Sequence, residues 1–367
     1  MVLIGRIITT MKYTKEYYDA IERVIKNVPN VEQLKNKSIV VTGATGLICS
    51  VVADLLMNLN DKGYGIKILL AGRDSERMKA RFEDRRQFVN DISGNIKELY
   101  DFINYDATKG CQDSGIKADY VIHGASNADP ARISGEPVET MLANIQGFSA
   151  LINSLDRGYL KKVLYISSSE VYGINEKQEP YKEEQLGYLD ILNTRNCYPS
   201  SKRAAETMCA AYSDEYGIET VIVRPGYIYG PTIKKSDSRA SALFSTKAAK
   251  GENIVMKSKG EQLRSYTHVL DCASAILAVL INGENKQAYN ISAPQSIVTI
   301  RQMAEAFAKA GNVDIIFDVP TEAETKSYNK IPCSALDSGK LEALGWKAEY
   351  DMESGAVQTV NMLRQRL

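Results

Sequence analysis

The sequence predicts a doubly wound α/β domain with a parallel sheet, joined to a smaller, interleaved C-terminal region. Three observations carry this. The β-branched run from Ser38 to Thr42 leads at once into the glycine turn G-A-T-G-L-I-C and an apolar helix over 51–59. Strand, glycine turn and helix in that order open the nucleotide-binding half of such folds. Short apolar strands then recur between helical stretches at 66–71, near 103, at 120–123, 163–166 and 220–223, the alternation expected of βαβ units. Finally, the strand 163–166 opens at its carboxyl end into S-S-S-E-V-Y-G, and strand carboxyl ends are where open α/β sheets place their chemistry.

The bulk numbers exclude several function classes. A chain of 367 residues forms one large domain or two with ample core. Lys and Arg total 45, as do Asp and Glu, so neither a nucleic-acid surface nor a polybasic membrane patch is indicated. Six cysteines are scattered without a C-x-x-C pair, and there are two histidines; this argues against a zinc site and for free thiols in the cytoplasm. No apolar run has the length of a membrane span, and the opening M-V-L-I-G-R-I-I-T-T is too short for a secretory signal. Met11 precedes a more ordinary polar start, so the first ten residues read as an upstream extension.

In chain order, Tyr17, Ile21, Val24, Ile25 and Val28 recur at a helical period that Pro29 ends. This N-terminal helix, within an extension over 1–36, is expected to pack outside the next domain; a subunit contact is the alternative. In the glycine turn, Gly43 permits the tight bend, and Gly46 lets backbone N–H groups approach a pyrophosphate at the helix start. Thr45, Leu47 and Ile48 complete that cradle. Tyr198 and Lys202 stand one helical turn apart on one face. An ammonium beneath a phenol favours the phenolate and lowers the tyrosine pKa, and a serine from the 163–166 strand end completes a proton relay around one substrate alcohol.

These motifs, in this order, resemble the extended short-chain dehydrogenase/reductases of the nucleotide-sugar epimerase, dehydratase and decarboxylase branch, over Lys37 to the C-terminus. The resemblance implies a Rossmann domain over 37–225 and a substrate-binding region over 226–367, partly interleaved with it. It also implies NADP or NAD as cofactor, a nucleotide sugar as substrate, and a homodimer. Catalytic roles fall on Ser168, Ser169, Glu170, Tyr198 and Lys202; Tyr198 and Lys202 also meet the cofactor. The family's third glycine is Cys49 here, which is expected to shift the following helix outward. The strand end that often carries a ribose-binding acid is Ala71, with Arg73 two positions on. A guanidinium there suits a 2′-phosphate, while Asp74 remains the alternative ribose ligand. Asp106 and Ala107 match the pair that meets the adenine, and Ala125 and Ser126 lie against the nicotinamide side. His123, at a strand end, is expected to orient backbone rather than act as a base. Substrate contacts fall on Asn127, on Tyr227, where relatives often have asparagine, and on Arg264, suited to a diphosphate; a surface arginine on an edge strand is its alternative.

The reaction turns on Ser168-Ser169-Glu170. The dehydratases place an aspartate where Ser169 stands, and a serine is too weak an acid to protonate a departing hydroxyl, so dehydration is disfavoured. Ser169 and Glu170, with Pro137, Thr140, Asn144 and Gly147 on the preceding helix, resemble the decarboxylases of UDP-uronic acids. A 4-epimerase is the alternative, followed by an NADPH-dependent ketoreductase or a non-catalytic cofactor-binding scaffold.

Overall fold

The computed structural model describes residues 12–93, 99–174, 179–318 and 332–366; the first ten residues lie outside these. The strands are β1 (Ser38–Thr42), β2 (Lys67–Gly72), β3 (Asp101–Asp106), β4 (Gly110–Cys111), β5 (Tyr120–His123), β6 (Lys162–Ile166), β7 (Glu219–Pro225), β8 (Tyr227–Tyr229), β9 (Ile254–Met256), β10 (Leu263–His268), β11 (Gln287–Ile291), β12 (Ile297–Thr299), β13 (Ile315–Phe317) and β14 (Cys333–Ser334). The principal helices are α1 (Lys15–Ile25), α2 (Leu47–Asp61), α3 (Ser75–Ser93), α4 (Pro130–Gly135), α5 (Pro137–Ser154), α6 (Cys197–Tyr216), α7 (Ala240–Lys250), α8 (Val269–Asn282), α9 (Ile300–Gly311), α10 (Gly339–Glu342) and α11 (Met352–Arg364).

The main sheet runs β11-β7-β6-β5-β1-β2-β3-β4, parallel throughout except for the β3–β4 pair. Both faces are covered, so its central strands are apolar along their whole length: Ser38–Thr42 and Lys162–Ile166 are buried at every position. From β1 the chain steps outward through β2 to β3, and then from β5 through β6 and β7 in the other direction. The reversal between β1 and β5 is a topological switch point, which leaves a crevice beyond the strand ends.

Chain beyond residue 226 does not stay apart from this sheet. β11 joins its edge beside β7 and α8 packs beneath it. Four of the remaining strands form a small mixed sheet, with β10 between β12 and β14 and also paired to β8, covered by α7, α9 and α11; β9 and β13 pair separately. α2 starts at Leu47, four residues earlier than its apolar run, because the glycine turn feeds straight into it. β3 extends past Ile103 to Asp106.

α1 is amphipathic and buries Tyr17, Ala20, Ile21, Val24 and Ile25 against the α2/α8 layer. Its start also meets a polar ladder made by three pairs at helical spacing: Tyr13 and Tyr17, Asp54 and Asn58 on α2, Arg81 and Arg85 on α3. Tyr17 donates to Asp54 at 2.9 Å, Arg81 pairs with Asp54 at 2.6 Å, and Arg85 pairs with Asp61 at 2.6 Å. The Arg85 guanidinium lies 5.3 Å from the Tyr13 ring centroid.

Candidate active site

A cleft of about 720 Å³ opens at the carboxyl ends of β1, β2, β3 and β5. It gathers Gly43, Thr45, Gly46, Arg73, Asp106, Ala107, Ala125, Ser126 and Asn127 along one wall-to-wall lining, while Leu47 and Ile48 form the first turn of α2 beside it. Gly43 has φ +74°, and a Cβ there would press on the Gly124 carbonyl oxygen at 2.9 Å. Gly46 caps α2 with no side-chain hydrogen bond, so the first N–H groups of the helix are left without a side-chain acceptor, the arrangement that receives an anion. Thr42 fixes the opposite wall by accepting from the N–H groups of Gly124 and Ala125, both at 3.0 Å.

The expected outward shift at Cys49 has a local answer. Cys49 is buried, and a Cβ on Gly124 would collide with its Sγ and press on Ile166 Cδ1 at 3.0 Å. The room that a third glycine would give on α2 is supplied across the gap, at Gly124. Burial pushes the Cys49 thiol up to about 12, so it is a packing group and not a nucleophile.

At the far end of the cleft β2 finishes without an acid. Asp74 accepts from the Arg77 backbone N–H at 2.9 Å through Oδ1 and so caps the start of α3, while still lining the cleft beside Arg73. Arg73, Arg77 and Lys234 line this end together. Burial, then the charges of Arg77 and Arg132, hold the Lys234 ammonium below its ordinary range. Burial raises the Asp106 carboxyl, but bonds from the Thr108 backbone and hydroxyl, with Arg73, bring it net below its usual range. Ala107 meets α5 where Gly147 has no side chain to obstruct it.

Where β6 ends and α6 begins, the structure brings Ser168, Tyr198 and Lys202 together. Ser168 Oγ accepts from the Glu170 backbone N–H at 3.2 Å, and the Ser168 hydroxyl pulls the Tyr198 phenol downward. Lys202 Nζ donates to the Ile166 carbonyl at 2.7 Å and lies 4.6 Å from the Tyr165 ring centroid and 5.7 Å from that of Tyr198. α6 is pinned to α5: Asn144 Nδ2 donates to Ser201 Oγ at 3.0 Å, which donates to the Tyr198 carbonyl at 3.0 Å. The expectation that the ammonium lowers the phenol does not hold in this geometry. Burial, then the Glu170 carboxylate, hold Tyr198 well above its ordinary range, against opposing pulls from Ser168, Arg195 and Arg239. It is Lys202 that moves down, to about 7, because its amine is buried. Ser169 is buried and Glu170 exposed, with Glu170 paired to Arg195. Arg195, which the sequence reasoning passed over, lies in the 3-10 turn Thr194–Asn196 just before α6; its position three residues before Tyr198 was the available signal.

His123 is fully buried, 3.2 Å from Thr42 Oγ1 and stacked on Tyr165. Burial brings it down to about 3, so it stays neutral and packs the sheet. Arg264 lies on β10, an interior strand of the small sheet, and is 3% exposed, which removes the edge-strand alternative. Its guanidinium sits 5.6 Å from the Tyr227 ring centroid. This pair stands on the small sheet, outside the lining of the dinucleotide cleft.

An uncapped helix start, a glycine turn that a Cβ would fill and a buried Ser126 hydroxyl with no protein partner fit a dinucleotide at a switch point. Fold and site thus define a nicotinamide-dinucleotide enzyme of the α/β type. More particularly, residues 39–292 match the model of the NAD dependent epimerase/dehydratase family, and the chain belongs to that family. It is 28% identical over 333 residues to UDP-glucuronic acid decarboxylase 1 of Xenopus tropicalis, covering 90% of this chain and 73% of that protein. It is 27% identical over 333 residues to UDP-glucuronic acid decarboxylase 6 of Arabidopsis thaliana, covering 90% of each. Among solved structures it resembles UDP-glucose 4-epimerase from Thermotoga maritima, with a TM-score of 0.71, 23% identity, and 89% of this chain and 99% of that one covered.

Proposed function

We propose that the protein decarboxylates a UDP-uronic acid by transient oxidation at C4 of the sugar. The observation that carries this is the corner where Ser168 and Tyr198, the serine hydroxyl pulling the phenol downward, stand beside the Glu170–Arg195 pair, with no carboxylic acid at position 169. The similarity to UDP-glucuronic acid decarboxylases over 90% of the chain supports the same reading.

A bound nicotinamide supplies a reversible acceptor for the C4 hydride. Tyr198 exchanges a proton with the C4 oxygen, and Ser168 holds that oxygen against the phenol. Lys202 fixes the end of β6 through Ile166 and orients the phenol. Once C4 is a ketone, the carboxylate on C5 is β to a carbonyl. Its C–C bond can then break, with the electron pair passing into the enolate, carbon dioxide leaving and a proton from the site returning to C5; return of the hydride to C4, with a proton from Tyr198 to its oxygen, then gives the pentose. Ser169 offers no proton strong enough to expel a hydroxyl, so the chemistry runs to loss of the carboxylate. The uridine diphosphate is held by Arg264 and Tyr227 in the 226–367 region, and Asn127 contacts the sugar.

Incubation with UDP-glucuronate and NAD or NADP, read by mass spectrometry, tests the reading: a UDP-pentose lighter by one carbon dioxide is expected. An unchanged mass with inverted configuration by NMR would replace it with a 4-epimerase. Two coarser features belong to the same reading. Among the described residues no helix is long and apolar enough to cross a membrane, and the six cysteines are unpaired, which suits the cytoplasm. A homodimer would find apolar surface on α5, where Val138, Met141 and Leu142 are exposed at helical spacing; sedimentation would report it.

A further inference from the structure

Arg195 reaches Glu170 with both arms of its guanidinium, Nη1 to Oε2 at 3.2 Å and Nη2 to Oε1 at 3.4 Å. This is the forked geometry with which arginine grips a carboxylate. The pair spans the two segments that deliver Ser168 and Tyr198, and both charges act on the Tyr198 phenol. Its side chains are 42% and 41% exposed, so the fork opens to the solvent side of the corner. Joining the segments does not account for it. Exposed pairs hold a fold weakly, and α6 is already tied to the end of β6 by Lys202 to Ile166 at 2.7 Å and by Arg203 to the Val171 and Gly187 carbonyls at 2.8 and 2.7 Å.

Resting on the decarboxylase reading, we propose that Arg195 selects the acid substituent at C5 of the sugar. Glu170 keeps the fork oriented and charged-partnered until substrate arrives, and the fork then passes to the carboxylate of the uronate. The geometry suits that exchange. A C4 oxygen seated between Ser168 and Tyr198 has C5 as its neighbouring carbon, in the corner that Glu170 and Arg195 border, two residues from Ser168 and three from Tyr198 respectively. The bond to be given up is exposed and cheap to open, and the bond gained is of the same kind. A neutral CH₂OH at C5 offers nothing to trade for Glu170, so it leaves the existing pair closed.

The test is titration calorimetry of UDP-glucuronate and of UDP-glucose on the cofactor-loaded full chain, with product analysis in parallel. Removing a charge-assisted fork with Arg195→Met should weaken UDP-glucuronate roughly 10- to 100-fold while UDP-glucose changes by less than about twofold. Arg195→Lys, which keeps charge without the fork, should recover part of the loss. Glu170→Gln, which removes the competitor, should leave uronate affinity intact or raise it. Cofactor affinity and unfolding midpoint should match wild type in all three variants. Equal weakening of both sugars by Arg195→Met, or no weakening, would overturn the assignment. If wild type makes the pentose and Arg195→Met keeps the wild-type preference, only Arg195 is misassigned. If wild type neither prefers UDP-glucuronate nor makes the pentose, the decarboxylase reading fails and this proposal with it.

Discussion

The cofactor cleft and the Ser168–Tyr198 corner meet at Gly124 and Ile166, yet they are built of different material. The cleft is made of backbone. Its turn is set by a positive φ at Gly43, its anion seat by uncapped N–H groups of α2, and its far wall by amides that Thr42 holds. The corner is made of side chains on two elements, held by Lys202, Asn144 and Arg203. A surface of backbone is indifferent to side-chain chemistry and intolerant of added atoms. A surface of side chains tolerates small changes of volume and fails when one hydroxyl or amine is lost.

The sharpest break between them is Tyr198→Phe. The ring still packs with Ile133 and Cys197, so cofactor affinity and unfolding midpoint should stay as in wild type, while turnover falls a hundredfold or more. Near-normal turnover would move the proton transfer to another group. On the backbone side, Gly124→Ala should destabilise the fold by about 1–3 kcal/mol in urea titrations, since the new Cβ strikes Cys49 and Ile166. Adding Cys49→Gly should restore most of that loss, a non-additivity of the kind that contacting residues show. An unchanged penalty in the double variant would mean that backbone, not sulfur, fills the gap. Arg73→Ala probes the one end of the cleft where side chains take over. NADP should bind about tenfold more weakly with NAD little affected, and parallel losses for both dinucleotides would make Arg73 a loop charge.

The smallest effect is in pH. Burial holds His123 and His268 at about 3, so the unfolded chain takes up their protons first and stability falls as pH drops below the ordinary histidine range. Burial raises Asp271 to about 7 against bonds from the Glu349 and Tyr350 amides, and this acts in the opposite direction. The net expectation between pH 6.5 and 5.5 is a loss of about 1 kcal/mol, two histidines against one aspartate. A midpoint in urea that rises over that interval would show that Asp271 dominates.

How much of this could be read from the sequence follows the same division. The backbone-built cleft was legible, because the glycines and small residues at 43, 46, 124 and 125 can be read one by one and their strand–turn–helix context is local. The Tyr198/Lys202 pair was legible for the same reason, lying within a single helical turn. Arg195 was not, because its meaning depends on Glu170, twenty-five positions away and across the β6–α6 gap. The direction of the tyrosine shift was misjudged because spacing places an ammonium near a phenol but says nothing of how deeply both are buried. Cys49 looked like a defect while it was considered alone. It is resolved only by a neighbour on another strand.

The polar ladder beneath α1 bears on where this molecule can be divided. The family match covers 39–292, yet Asp54 and Arg81, well inside it, are completed by Tyr17, well outside. α11, beyond the other end of the match, likewise supplies Met352, Ala356 and Val360 to the core over the small sheet. Cutting the chain at the limits of the family-model match would therefore leave an aspartate and two arginines facing water through a gap shaped for tyrosine. The stretch that the family model matches and the stretch that folds are different lengths of chain.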